Sequence, residues 1–355
     1  MTDPLNPVDP DQHFEALSSE DKPKSQWRRW HLPVLLVLVI ASYLIVTKHN
    51  RVPYIHAEGA AFGTFYHITY QSRADLQAGI EAELQRVDQS LSMFNPNSVI
   101  SRLNQGEDIE ADSLFRTVFL LAQQVSEATG GAFDITVAPL VNAWGFGFKN
   151  GALPDSSQVD SLRSLIGYQH VRLNQHNHLI KDDPRIILDC SAVAKGFGVD
   201  VVANYLLQQG VENFMVEIGG EVVVSGKNPK GNDWRVGVNK ATDDPTSTNN
   251  ELATVLNLTD CAMATSGNYR NFYTTEDGRR VAHTIDPATG YPVQHSLLSA
   301  TVLAPTCAEA DAFATSFMVL GLDSARNVLA RHPELQVFFI YDSLGTAHTF
   351  STIAD

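Results

Sequence analysis

A chain of 355 residues is long enough for one large domain or two medium ones, and its 44% hydrophobic content is ordinary for a globular protein. Its formal net charge of −15 argues against a nucleic-acid ligand, which needs clustered Lys and Arg. The same charge makes an anionic ligand unwelcome unless a cation or local Lys and Arg neutralise it.

Residues 1–29 are polar and Pro-rich at their start and read as a disordered tail. The 18 residues from Trp30 to Thr47 are apolar and would span about 27 Å as a helix, slightly short of a bilayer's hydrocarbon core. Lys22, Lys24, Arg28 and Arg29 precede this span, which predicts a cytoplasmic N-terminus and a single-pass anchor in the inner membrane. A cleaved signal peptide is the alternative, although no small-x-small site clearly follows the apolar run. Both readings put the rest of the chain across the membrane, facing the periplasm. Residues 48–60 read as a linker and 61–355 as the folded domain.

Within that domain Phe62–Tyr70 has strand character. Leu76, Ile80, Leu84, Val87 and Leu91 repeat at helical spacing, as do Leu114, Val118, Leu121 and Val125, which Gly130-Gly131 terminates. Asp155 opens a short helix running to Leu165, 185–189 reads as a short strand, and 195–209 reads as a helix ended by Gly210. Further strands fall at 214–218, 221–225, 234–238, 253–258, 298–304 and 336–341. Thr306 with Glu309 forms a capping box. Strands outnumber helices without strict alternation, which predicts an α+β fold with mixed or antiparallel sheets. Cys190, Cys261 and Cys307 form no C-x-x-C pair and read as small core residues, with a Cys261–Cys307 disulfide left open.

Two late motifs carry the chemistry. His283-Thr-Ile-Asp-Pro-Ala-Thr-Gly290 is a turn that brings a histidine and the Asp286 carboxylate together on irregular backbone. Histidine as a residue type titrates near working pH, so His283 suits acid–base work, while Asp286 either orients the ring or caps the turn. Asp311 and Thr315 stand four apart at the start of a helix and share a face. One carboxylate and one hydroxyl make half a site for a hard cation such as Mg²⁺.

The chain resembles the ApbE family through Gly63-Thr64, Leu91-Ser-Met-Phe94, Ser98-Val-Ile-Ser101-Arg-Leu-Asn104, Gly130-Gly-Ala-Phe-Asp-Ile-Thr-Val-Ala-Pro139 and Trp144-Gly-Phe-Gly147. Leu188-Asp-Cys-Ser-Ala-Val-Ala-Lys-Gly196, Glu217-Ile-Gly-Gly220, Ala264-Thr-Ser-Gly-Asn-Tyr-Arg270 and the two late motifs extend it in order to about residue 340. The resemblance implies an ApbE-like fold and a Mg²⁺-dependent FAD:protein FMN transferase. Such an enzyme cleaves the pyrophosphate of FAD, attaches FMN by a phosphoester bond to a threonine or serine of a target protein, and releases AMP. The implied targets are subunits of Na⁺-translocating NADH:quinone reductase or Rnf-type complexes. The resemblance gives Asp311, Thr315 and the Ala192 carbonyl to the metal. Lys195 falls to phosphate or ribose, Asp189 to adenine or ribose, and Thr284 to the FAD contacts. Trp144, Gly145 and Phe146 suit a stacked ring, and Phe62 and Phe94 line the flavin or adenine pocket. The family more often has Met and Tyr at those last two positions, so Phe94 lacks a hydroxyl. Glu217-Ile-Gly-Gly220 reads as a structural turn. An FAD pyrophosphatase with water as acceptor, or a flavin-binding protein without catalysis, are the other readings.

Overall fold

The structure, a computed structural model, describes residues 33–43, 52–146, 153–241, 251–268, 272–274 and 280–353. Contacts divide the chain into a unit ending at Val52 and a unit beginning at Pro53. In the first, residues 33–43 form a helix, α1, whose apolar side chains from Val34 to Ile40 are exposed, with Tyr43. No helix among the described residues is long and apolar enough to cross a membrane. Of the span read from the sequence, residues 30–32 and 44–47 lie outside the described residues.

The second unit opens with a hairpin, β1 (Tyr54–Ala61) and β2 (Thr64–Gln71), turned at Phe62-Gly63. Most of the stretch read as linker is therefore strand, and the strand read from Phe62 starts two residues later. Three helices follow, α2 (Gln77–Leu91), α3 (Val99–Asn104) and α4 (Ser113–Ala128). The short helices α5 (Ala138–Ala143) and α6 (Ser156–Arg163) come next, the latter opened by the Asp155 capping box. A small hairpin, β3 (Val171–Leu173) and β4 (Leu179–Lys181), leads to the long helix α7 (Ser191–Gln208). After α7 come β5 (Phe214–Ile218) and β6 (Glu221–Ser225), a separate pair β7 (Trp234–Asn239) and β8 (Leu252–Leu258), and β9 (Cys261–Gly267). The short pair β10 (Phe272–Thr274) and β11 (Arg280–Ala282), then β12 (Leu297–Ala304), α8 (Cys307–Leu329), β13 (Gln336–Ser343) and β14 (Thr346–Ser351) complete the domain.

Eight strands form one sheet in the order β1-β2-β5-β6-β9-β12-β13-β14, and every pairing is antiparallel. The α+β class holds, with an antiparallel rather than mixed main sheet. Alternation along β5 buries Phe214, Val216 and Ile218 against Val199, Val202 and Leu206 of α7. Each such side chain contributes about 1.5–3 kcal/mol on full burial. Phe313 and Phe317 of α8 join the larger core cluster with Val302 and Phe339 of the sheet.

One local expectation fails. Residues 185–189 form no strand, because their polar groups bond elsewhere: Asn104 pairs with both the Leu188 amide and carbonyl, and the Asp189 amide donates to Ile135 O at 2.7 Å. Within the Ala264–Arg270 motif, Thr265-Ser266-Gly267 is the end of β9, paired to Thr301, Ala300 and Ser299 of β12. All three cysteines are free, so Cys261 and Cys307 are not bridged.

Helices α7 and α8 pack closely at their starts, and Asp200 joins them. Its carboxylate accepts the Cys307 and Ala308 amides at 2.8 and 2.9 Å, satisfying two donors at the α8 N-terminus. Burial nevertheless pushes its carboxyl up to about 6 from 3.8. A folded value above the unfolded one means that protonation favours folding: the contribution is complete below about pH 4 and is lost as pH rises through about 6. Denaturant unfolding of wild type and Asp200→Asn should therefore diverge with pH. Wild type should lose about 3 kcal/mol relative to the variant between about pH 4 and pH 7. Parallel profiles would remove this account.

Candidate active site

A cavity of about 480 Å³ opens where the first turn of α7, the ends of β6 and β9, the 283–287 turn and α8 converge. Its wall includes Asp189, Ala192, Lys195, Glu221, Ser266, His283, Thr284, Asp311 and Thr315. Seven residues singled out from the sequence thus share one cavity: Asp189, Ala192, Lys195, His283, Thr284, Asp311 and Thr315.

Asp311 sits on α8 within two turns of the Thr306 cap and is buried. Its Oδ2 accepts the Gly196 amide at 3.0 Å. Gly196 lies about one helical turn after Ala192, so the bond ties the Asp311 carboxylate to the turn of α7 that carries Ala192. The approach requires glycine: a Cβ at Gly196 would overlap the Cys307 carbonyl and stand 2.8 Å from the Asp311 Cβ. Burial pushes the Asp311 carboxyl up, opposed by Lys195 and the Gly196 amide. One turn on, the Thr315 hydroxyl lies 3.2 Å from that of Ser266.

Lys195 bonds Glu221 Oε1 at 2.7 Å and stands 3.8 Å from Asp311 Oδ2. Burial works against its charge, but the two carboxylates outweigh it and hold its ammonium above the ordinary value. Glu221 is 4% exposed, and its Oε2 has no hydrogen-bond partner. Its burial outweighs the Lys195 pairing, so its carboxyl is also pushed up. An orphaned carboxylate oxygen beside a second buried carboxylate is a site short of positive charge. Among the described residues no three His, Cys, Asp or Glu side chains gather as a metal cluster. The donors on offer are instead one carboxylate, one hydroxyl and a main-chain carbonyl. That set fits a hard cation that keeps several waters and takes further oxygens from a phosphate. The Asp189 side chain accepts the Ser191 amide at 2.8 Å and so orders the α7 N-terminus, whose dipole favours an anion in the cavity.

The 283–290 turn is braced from behind. Asp286 O accepts the Gly290 amide and its Oδ1 accepts the Ala288 amide at 2.9 Å, so this carboxylate caps the turn. Trp144 is buried, donates its indole N–H to Gly290 O at 2.8 Å, and packs with Val159 and Ile285. It acts as a brace and lies outside the cavity lining. Gly145 follows with φ 85°, and the Phe146 ring meets the His283 ring edge-on at 6.3 Å. Gly147 lies outside the described residues. Thr284 donates to Asn268 Oδ1 at 2.7 Å, fixing the lining beside His283.

Three other expectations part from this cavity. Phe94 is 79% exposed and not in its lining. Phe62 lines a second hollow beside the β1–β2 hairpin, with Gly63 and Thr64. Asp286 faces its own turn, as above. Glu221, by contrast, stands in the sequence only as the first residue of a predicted strand and proves a cavity residue. The signal was present, since a lone Glu heads the apolar run Val222-Val-Val224.

The chain is similar to known proteins over most of its length. The chain is 38% identical over 297 residues to the FAD:protein FMN transferase of Vibrio cholerae, covering 81% of this chain and 87% of that one. It is 37% identical over 323 residues to that of Haemophilus influenzae, covering 86% and 91%. The solved flavin transferase ApbE of Vibrio cholerae superposes with a TM-score of 0.76 at 36% identity, covering 84% of this chain and 97% of that one. The apo Pseudomonas stutzeri flavinyl transferase ApbE also superposes with a TM-score of 0.76, at 29% identity over 85% and 95%. The ApbE family model matches residues 62–339, and with the cavity built from that family's motifs the chain belongs to the ApbE family.

Proposed function

We propose that this protein is an FAD:protein FMN transferase that works with Mg²⁺ from the periplasmic face of the inner membrane. The observation that carries the reading is the meeting of Asp311, Thr315, Ala192, Lys195 and His283 around one cavity at a helix N-terminus. A Mg²⁺ held by Asp311, Thr315 and the Ala192 carbonyl would offset charge on the FAD pyrophosphate. The α7 N-terminus and the Lys195 ammonium line the same cavity and would meet those phosphates. His283 accepts the proton of the acceptor threonine as its oxygen bonds the FMN phosphorus. The bond from that phosphorus to the bridging oxygen then breaks, and AMP leaves with the electron pair. The exposed apolar α1 supports a membrane anchor, which would confine the enzyme to the plane of subunits of the Na⁺-translocating NADH:quinone reductase or Rnf type.

The test incubates the full chain in detergent with FAD, Mg²⁺ and such a subunit, then reads flavin fluorescence on a denaturing gel. A fluorescent acceptor band is expected. AMP without the band would instead establish hydrolysis, and neither product a simple binder. In the same assay His283→Ala should slow transfer by about 10²–10⁴-fold while leaving the Kd for FAD within a few fold. An unchanged rate would reduce His283 to a loop residue.

A further inference from the structure

Lys195 raises a question that the transferase reading leaves unanswered. An ammonium 3.8 Å from Asp311 Oδ2 is well placed to neutralise the carboxylate meant for the cation. Lys195 is a flexible point charge on a four-carbon stem, so a shift of about 1 Å would make it a direct hydrogen-bond partner of Asp311. It is held back by Glu221, whose Oε1 takes the ammonium at 2.7 Å. Glu221 heads β6 directly after the Gly219-Gly220 turn, both glycines at positive φ, and its side chain is 5% exposed, so the tether is fixed to the sheet. Its other oxygen has no partner, so the hydrogen bonding of this buried carboxylate is spent on Lys195.

We propose that Glu221 is a positioning residue that holds Lys195 off Asp311 and thereby keeps the cation site open. This rests on the reading of Asp311 and Thr315 as cation donors. Without the tether Lys195 closes on Asp311 and competes with the metal from inside the cavity. With it, one ammonium sits beside the cation site rather than in it, where it can meet phosphate.

The test measures Mn²⁺ binding alone, by electron paramagnetic resonance, on the full chain without FAD or acceptor. Glu221→Gln should weaken Mn²⁺ binding by about tenfold or more. Glu221→Asp keeps the charge but is one methylene too short to reach Lys195, and it should weaken binding nearly as much. The double variant Lys195→Met with Glu221→Gln should return binding to near the wild-type value, which also shows that the Glu221 change leaves the fold intact. Wild-type binding by Glu221→Asp would overturn the tether in favour of a charge acting through space. A double variant as weak as Glu221→Gln would overturn it in favour of Glu221 as a ligand of the cation itself. If the wild type binds no Mn²⁺, this proposal and the metal reading fall together. If it binds and Glu221→Gln binds equally, only the tether falls.

Discussion

Asp311→Asn should abolish AMP release from FAD, with a fall of about a thousandfold or more, and should do so without unfolding the protein. The substitution keeps the side-chain volume and an oxygen to accept the Gly196 amide, so the α7–α8 contact survives. It removes the charge, which a hard cation requires from its few protein ligands. Burial already pushes the Asp311 carboxyl up, so a neutral amide is easier to bury there, and Lys195 keeps its Glu221 partner. The variant should therefore melt at or above the wild-type temperature while losing activity. Chelation of wild type by EDTA should reproduce the loss. AMP release measured by chromatography, with a thermal melt of the same sample, checks both halves. Full activity in Asp311→Asn would remove the metal assignment.

Gly196→Ala should produce the opposite pattern, with stability and activity lost together. The added methyl would overlap the Cys307 carbonyl, which is backbone at the head of α8 and cannot rotate away. Separating two packed helices to make room costs on the order of 3 kcal/mol, or about 5 °C or more in Tm. It also draws Asp311 away from the Ala192 turn. Gly79→Ala is the control: its methyl would meet the hydroxyl and the adjoining ring carbons of Tyr205, the far end of a side chain rather than backbone. A melt of Gly196→Ala no lower than that of Gly79→Ala would sink this reading.

What the sequence revealed, and what it concealed, follows from the range of the interactions. The Thr306–Glu309 cap and the Asp155 cap were legible because both partners lie within one helical turn. Asp311 and Thr315 were legible because a four-residue spacing fixes a shared face. The stretch 185–189 looks like strand because its centre is apolar and β-branched. Its backbone partners, Asn104 and Ile135, are 84 and about fifty residues away and belong to no strand. Trp144 was read as a platform for a ring. An aromatic face says nothing of which end is used, and here the indole N–H is committed to Gly290. Phe94 was placed by resemblance alone and stands exposed. Glu221 was missed because Gly219-Gly220 explained its neighbourhood as a turn, while its partner Lys195 lies 26 residues back on a different element.

The order of strands in the sheet bears on how an unfinished molecule behaves. In the sheet β1–β2, β5–β6 and β13–β14 are local hairpins, whereas the seams β2–β5, β6–β9, β9–β12 and β12–β13 join segments separated by long excursions. Closing those seams costs more chain entropy, so the hairpins should form before they are joined. A growing polypeptide that stops before Cys307 carries its early hairpins yet lacks Asp311 and Thr315, the two side chains proposed to grip the cation. On that reading, half-made copies cannot squander flavin on water while awaiting completion.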